Sequence, residues 1–139
     1  MNGYWFESSL FGIDPQEDDE SNPRRYGRQL AHWLRSQLEQ RGYTVADVFA
    51  EDWGWCVMCH FKPFSLWVGC GNMEDFEAGP GDPPPEPESV VWHCFPAAEA
   101  PFLARIFRRV DTAPALNRRD ADLRQILVSE PAVALVGEP

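Results

Sequence analysis

The chain has 139 residues, a formal charge of −10, and many aromatic residues, including six tryptophans. That length suits one domain with a sizeable core, and no apolar run is long enough to span a bilayer. So acidic a chain argues against phosphate-backbone binding as its main task, because such binders carry clustered basic residues.

Tyr4 to Leu10 reads as a short opening strand, closed by Gly12 and Pro15. An acidic stretch, Asp14 to Glu20, comes next. Asn22-Pro23 then resembles a helix start with proline at the first helical position. Tyr26, Leu30, Trp33, Leu34, Gln37 and Leu38 form a stripe at helical spacing, and Gly42 stands where a C-terminal cap belongs. Thr44 to Ala50 leads, as a strand or strand approach, into the most informative segment.

That segment is a hairpin. Trp53, Trp55, Val57, Cys59 and Phe61 alternate, as do Phe64, Leu66, Val68 and Cys70. Strand side chains switch faces at each residue, so each set lies along one side. A turn at Lys62-Pro63 would pair 61 with 64, 59 with 66, 57 with 68 and 55 with 70 on one apolar face. The opposite, mixed face would carry Cys56, Met58, His60 and Trp67.

Residues 73–89, rich in proline, glycine and acid, are expected to form a mobile loop that packs no core. Val90 to Phe95 is a further strand, with Val90, Trp92 and Cys94 inward and His93 on the mixed side. Two helices are expected next. Phe102, Leu103, Ile106, Phe107 and Val110 would be buried in the first. Leu116, Leu123, Ile126 and Leu127 would be buried in the second, with Arg118, Arg119 and Arg124 exposed. The ending PAVALVGEP would add a short strand or fray. The expected fold is a single α+β domain over residues 1–139. It has a four- or five-stranded, mainly antiparallel sheet with helices packed mostly on one face.

The chemistry-bearing strings read mostly as structure. Cys56, Cys59 and His60 spell C-x-x-C-H, a haem-attachment string in exported proteins. Met1 to Leu10 shows no export signal, so the expected compartment is the cytoplasm, with reduced cysteines. Zinc is disfavoured, because Cys56 and His60 would stand about 13 Å apart along a strand rising about 3.3 Å per residue. Gly69-Cys70-Gly71-Asn72 reads as a strand end and turn. No P-loop, G-x-G-x-x-G, G-x-S-x-G or H-E-x-x-H is present. No metal, cofactor or catalytic residue is assigned.

Tyr26-Gly27-Arg28 with Leu30-Ala31-x-Trp33-Leu34, then Glu51-Asp52-Trp53-Gly54-Trp55, then Gly69-Cys70-Gly71-Asn72 resemble small acidic bacterial proteins of uncharacterised function. Size and acidity are also similar to immunity proteins that neutralise toxins. The expectation is therefore a non-catalytic cytosolic protein-binding module that engages a basic protein, a toxin in its concrete form, and neither nucleic acid nor membrane. The expected contacts are Asp18, Asp19, Glu20, Glu74, Asp75 and Glu77 in the acidic loops. The mixed face of Met58, His60, Trp67, His93 and Phe95 would join them. The alternative is a small enzyme or ligand binder with a pocket at Asp52, Trp55, His60 and Cys70.

Overall fold

The computed structural model of the chain describes residues 3–73, 77–79, 81–100 and 111–139. In chain order the elements are β1 (Tyr4–Glu7), α1 (Arg28–Gln40), β2 (Asp47–Glu51), β3 (Gly54–His60), β4 (Ser65–Asn72), β5 (Val91–Glu99), α2 (Ala113–Ser129) and β6 (Ala134–Val136). The strands form one antiparallel sheet in the order β2-β3-β4-β5-β1-β6. The α+β class agrees with expectation, but the sheet has six strands rather than four or five. Residues 47–51 make a true edge strand on β3, and the C-terminal segment pairs with β1 through Trp5 opposite Val136. The expected helix over Phe102 to Val110 lies outside the described residues.

Strand alternation delivers the core. Phe6 of β1, Trp55 and Val57 of β3, Val68 and Cys70 of β4, and Trp92 and Cys94 of β5 are all buried in one cluster. Leu30, Ala31, Leu34 and Leu38 of α1 and Leu123, Ile126 and Leu127 of α2 belong to that same cluster. Burying each of the valine, leucine, isoleucine and phenylalanine side chains among them contributes roughly 1.5–3 kcal/mol. Phe11 meets Phe6, Trp33 and Trp92 edge-on at 6.2, 5.1 and 6.3 Å, so the half-buried Trp33 is a packing residue.

The hairpin register departs from the ideal at one point. Trp55 pairs with Cys70 and Val57 with Val68, as expected, but a bulge lies between Met58 and His60, and His60 rather than Cys59 pairs with Leu66. A bulge places one extra residue on a strand and re-aims the side chains beyond it. His60 therefore leaves the face of Met58 and lines a different cavity, with Leu66 and Tyr43. Phe61 is exposed rather than inward, and so is Trp53, which precedes the strand.

The helix start differs too. α1 begins at Arg28, not at Pro23, because the intervening backbone turns away from helix: Arg24 has φ 65° and Gly27 φ 142°. Its C-terminus is as expected. The Gly42 N–H donates to the Glu39 carbonyl and the Tyr43 N–H to the Leu38 carbonyl, a Schellman arrangement with Gly42 at φ 88°.

Candidate functional site

The three strings that carried the family resemblance come together in space. Asn72, at the end of β4, accepts the Tyr26 N–H at 2.9 Å and donates to the Arg24 carbonyl at 3.1 Å. Asn22 donates to the Asp52 carbonyl at 2.9 Å. Both Gly27 and Gly54 face the Cys70 carbonyl. A Cβ at Gly54 would collide with that oxygen, and Gly54 has φ 150°. The Arg28 guanidinium lies 5.7 Å from the Trp55 ring. These residues dock the loop before α1 onto the β3–β4 strand ends. Their role is structural.

The acidic stretch before that loop is also largely committed to the fold. Glu17 is 1% exposed, and its Oε2 accepts the Arg28 N–H at 3.0 Å, so it caps α1 from a distance in sequence. Burial pushes its carboxyl up to about 7, against the pull of the Arg28 and Gly27 N–H bonds. Asp18 accepts the Arg24 N–H at 2.9 Å. Arg28 lies within 3.8 Å of Asp14 and 3.9 Å of Glu20. Asp19, Glu20 and Glu77 are exposed, while Glu74 and Asp75 lie outside the described residues.

The sheet face opposite the core residues carries the most distinctive surface. Register places Asp47, Phe49 and Glu51 of β2 beside Met58, Cys56 and Gly54 of β3. Trp67 and Gly69 of β4 come next, then His93, Phe95, Ala97 and Glu99 of β5, then Trp5 and Glu7 of β1. Trp5 stacks on His93 at 4.4 Å and 7°, His93 meets Phe95 at 5.2 Å, and Phe95 meets Trp53 at 5.4 Å. This row crosses β4 only because Gly69 has no side chain; a Cβ there would strike the Phe95 ring.

Beside the row lies an open cleft of about 240 Å³, walled by Phe49, Trp53 and Trp67, floored by Cys56 and Met58, and rimmed by Glu51, Ser65 and Glu99. Trp53 is 39% exposed. Aromatic faces with carboxylates at the rim suit a cationic side chain, through the ring quadrupole and charge-assisted hydrogen bonds. Four carboxylates, at Glu7, Asp47, Glu51 and Glu99, stand at these strand positions, with no lysine or arginine among them. Met58 and Trp67 belong to this surface, as expected. Phe49, Glu51, Trp53 and Glu99 were not foreseen. The alternation of Asp47, Phe49 and Glu51 could have revealed the first two.

The alternative pocket is not assembled. Trp55 and Cys70 are paired core residues, Asp52 is exposed at the β2–β3 turn, and His60 lies about 16 Å along β3 from Trp55 at about 3.3 Å per residue. Three of the thiols are poor nucleophiles. Burial pushes Cys56 up to about 12, helped by Cys70 and the Glu51 carboxylate. Burial also raises Cys59, despite Arg119 beside it, and raises Cys70, which is tied to Cys94. All four cysteines are free. Among the described residues no three His, Cys, Asp or Glu side chains gather as ligands for one ion, and no helix is long and apolar enough to cross a membrane. No family model, curated protein or solved structure matches this chain.

Proposed function

We propose that this chain is a non-catalytic cytosolic binding module that captures a basic protein partner, an immunity protein neutralising a toxin being the concrete form. In this reading the helices cover one face of the sheet, and the opposite face is the docking surface. The cleft of Phe49, Trp53 and Trp67 receives an arginine or lysine of the partner, and Glu51 and Glu99 pair with it. One observation carries the reading: an aromatic-walled cleft sits on a sheet face whose described strand positions hold four carboxylates and neither lysine nor arginine. The exposed Asp19, Glu20 and Glu77 widen the negative field that draws a cationic partner in. The weak nucleophilicity of the buried thiols fits a module without chemistry of its own.

The test uses N-acetyl-arginine amide and a tri-arginine peptide, titrated while the indole N–H signals are followed by NMR. Saturable shifts at Trp53 and Trp67 are expected. Glu51→Gln with Glu99→Gln, and separately Trp67→Ala, should abolish them. A tri-glutamate peptide should give none. Shifts absent at millimolar peptide, or equal for both peptide charges, would remove the basis of the reading.

A further inference from the structure

The other side of the sheet holds a site of opposite character. Arg119 of α2 is 3% exposed, although its residue type assigns it to solvent. Its Nη1 donates to the Cys59 sulfur at 2.8 Å, and its guanidinium lies 3.9 Å from the Tyr43 ring centroid. Among the described residues its buried Nε finds no acceptor. Tyr43 turns its hydroxyl to the Asp122 carboxylate, so that acid is already engaged. Among the described residues no carboxylate stands within ion-pair distance of Arg119. A guanidinium withdrawn from water without a counter-charge is costly, and that cost falls when an anion supplies the missing acceptors.

A place for such an anion adjoins it. A cavity of about 350 Å³ is bordered by Arg119, Arg118, His60, Tyr43, Leu66 and Ala115. Arg118 is exposed at its mouth, with its guanidinium 5.8 Å from the Tyr43 ring. Ala115 belongs to the first turn of α2, a 17-residue helix whose positive end therefore faces the same space. The His60 Nδ1 lies 2.9 Å from the Phe64 carbonyl, which only accepts, so Nδ1 carries a proton. Leu66, Ala115 and the Tyr43 ring make the remaining wall apolar.

We propose that this cavity binds a small organic anion, whose carboxylate or phosphate oxygens bridge Arg119 and Arg118 while a short apolar body rests on Leu66, Ala115 and Tyr43. Two guanidinium forks match either head group, and a cavity of about 350 Å³ has room for a body of at least one aromatic ring. The site stands apart from the cationic-partner face, so either can fail without the other.

The experiment follows the Arg119 Nε–Hε signal by NMR during titration with benzoate, and in parallel with phenyl phosphate, at ionic strength held constant with sodium chloride. A saturable shift is expected for at least one probe, with a dissociation constant of about 1 mM or lower. The tighter probe identifies the head group. Arg118→Ala should weaken binding about tenfold, and Ala115→Trp, which pushes an indole into the cavity, should abolish it with backbone spectra retained. Arg119→Met should also abolish it; if that variant does not fold, the other two decide. No saturable shift up to about 10 mM of either probe would overturn the proposal. So would equal shifts with chloride alone, or binding unchanged in both Arg118→Ala and Ala115→Trp.

Discussion

Glu17 is a carboxyl buried on a loop that composition alone would assign to solvent, and its replacement by glutamine makes a sharp test of the energetics. Its ordinary value is 4.5, and burial lifts it to about 7 in the folded chain. Below pH 4.5 both folded and unfolded chains hold the proton, so its ionisation costs the native state nothing. Between 4.5 and 7 the unfolded chain has released its proton while the native chain keeps it, so stability falls as pH rises. Above 7 both forms are ionised and the full penalty remains. A shift of that size corresponds to about 3 kcal/mol.

Glutamine keeps an oxygen for the Arg28 and Gly27 N–H groups but never ionises. Glu17→Gln should therefore match the parent near pH 4.5 and gain on it steadily to pH 8, where it should be more stable by up to about 3 kcal/mol. With a urea slope of roughly 1.5 kcal/mol per M, the midpoint should rise by about 2 M. Urea unfolding at pH 4.5, 6, 7 and 8 measures this, and titrations common to both proteins cancel in the difference. Glu17→Ala is the control. It loses the helix-capping acceptor as well, and should be less stable than the parent by about 1 kcal/mol at pH 4.5. Parallel curves for the parent and Glu17→Gln across the whole range, or a less stable Glu17→Gln at pH 8, would refute the reasoning.

Gly69→Val should lift the Phe95 ring off β4, cost about 1–3 kcal/mol in urea unfolding, and weaken arginine-peptide binding. An unchanged midpoint would show that Phe95 does not rest there. Asn72→Ala removes two hydrogen bonds that hold the loop before α1 and should cost about 2 kcal/mol. Hydrogen exchange at the Tyr26 amide should accelerate at least tenfold, and exchange equal to the parent's would count against the docking role. Cys56, pushed up to about 12, should react with a disulfide reagent at pH 8 about a thousandfold more slowly than a free thiol. Mass mapping after unfolding should show it restored to ordinary reactivity.

Where periodicity decides burial, the sequence is legible. The two alternating runs around Pro63 place Trp55 opposite Cys70 and Val57 opposite Val68, and Val90, Trp92 and Cys94 are inward as read. Gly42 ends α1 because nothing else tolerates its φ as easily. Pro23 misled, since proline suits a turn as well as a first helical turn, and Arg24 at positive φ shows which one won. The bulge after Met58 has no local mark, because every residue from Cys56 to His60 suits a strand. It alone moves His60 from one surface to the other. Burial of Glu17 is a tertiary effect without a sequence signature.

Arg119 is the instructive case, because the pattern did contain it. Position 119 lies four residues before Leu123 and three after Leu116, within the stripe that buries Leu123, Ile126 and Leu127. Residue type argued for solvent while spacing argued for the interior, and spacing prevailed. A helix cannot rotate one residue out of its buried face without exposing the leucines below. The chain meets the conflict with an aromatic ring and a sulfur, neither of which supplies a full counter-charge. The same logic holds across the sheet, where Gly69 yields its space to Phe95 and the carboxylates of β2 and β5 flank the cleft with no lysine or arginine among its described lining residues. Among the described residues, each face thus carries charge of one sign without a partner, positive at Arg119 beside α2 and negative beside Trp53 and Trp67. Charge left unmatched on folded, packed elements is what a second molecule can match.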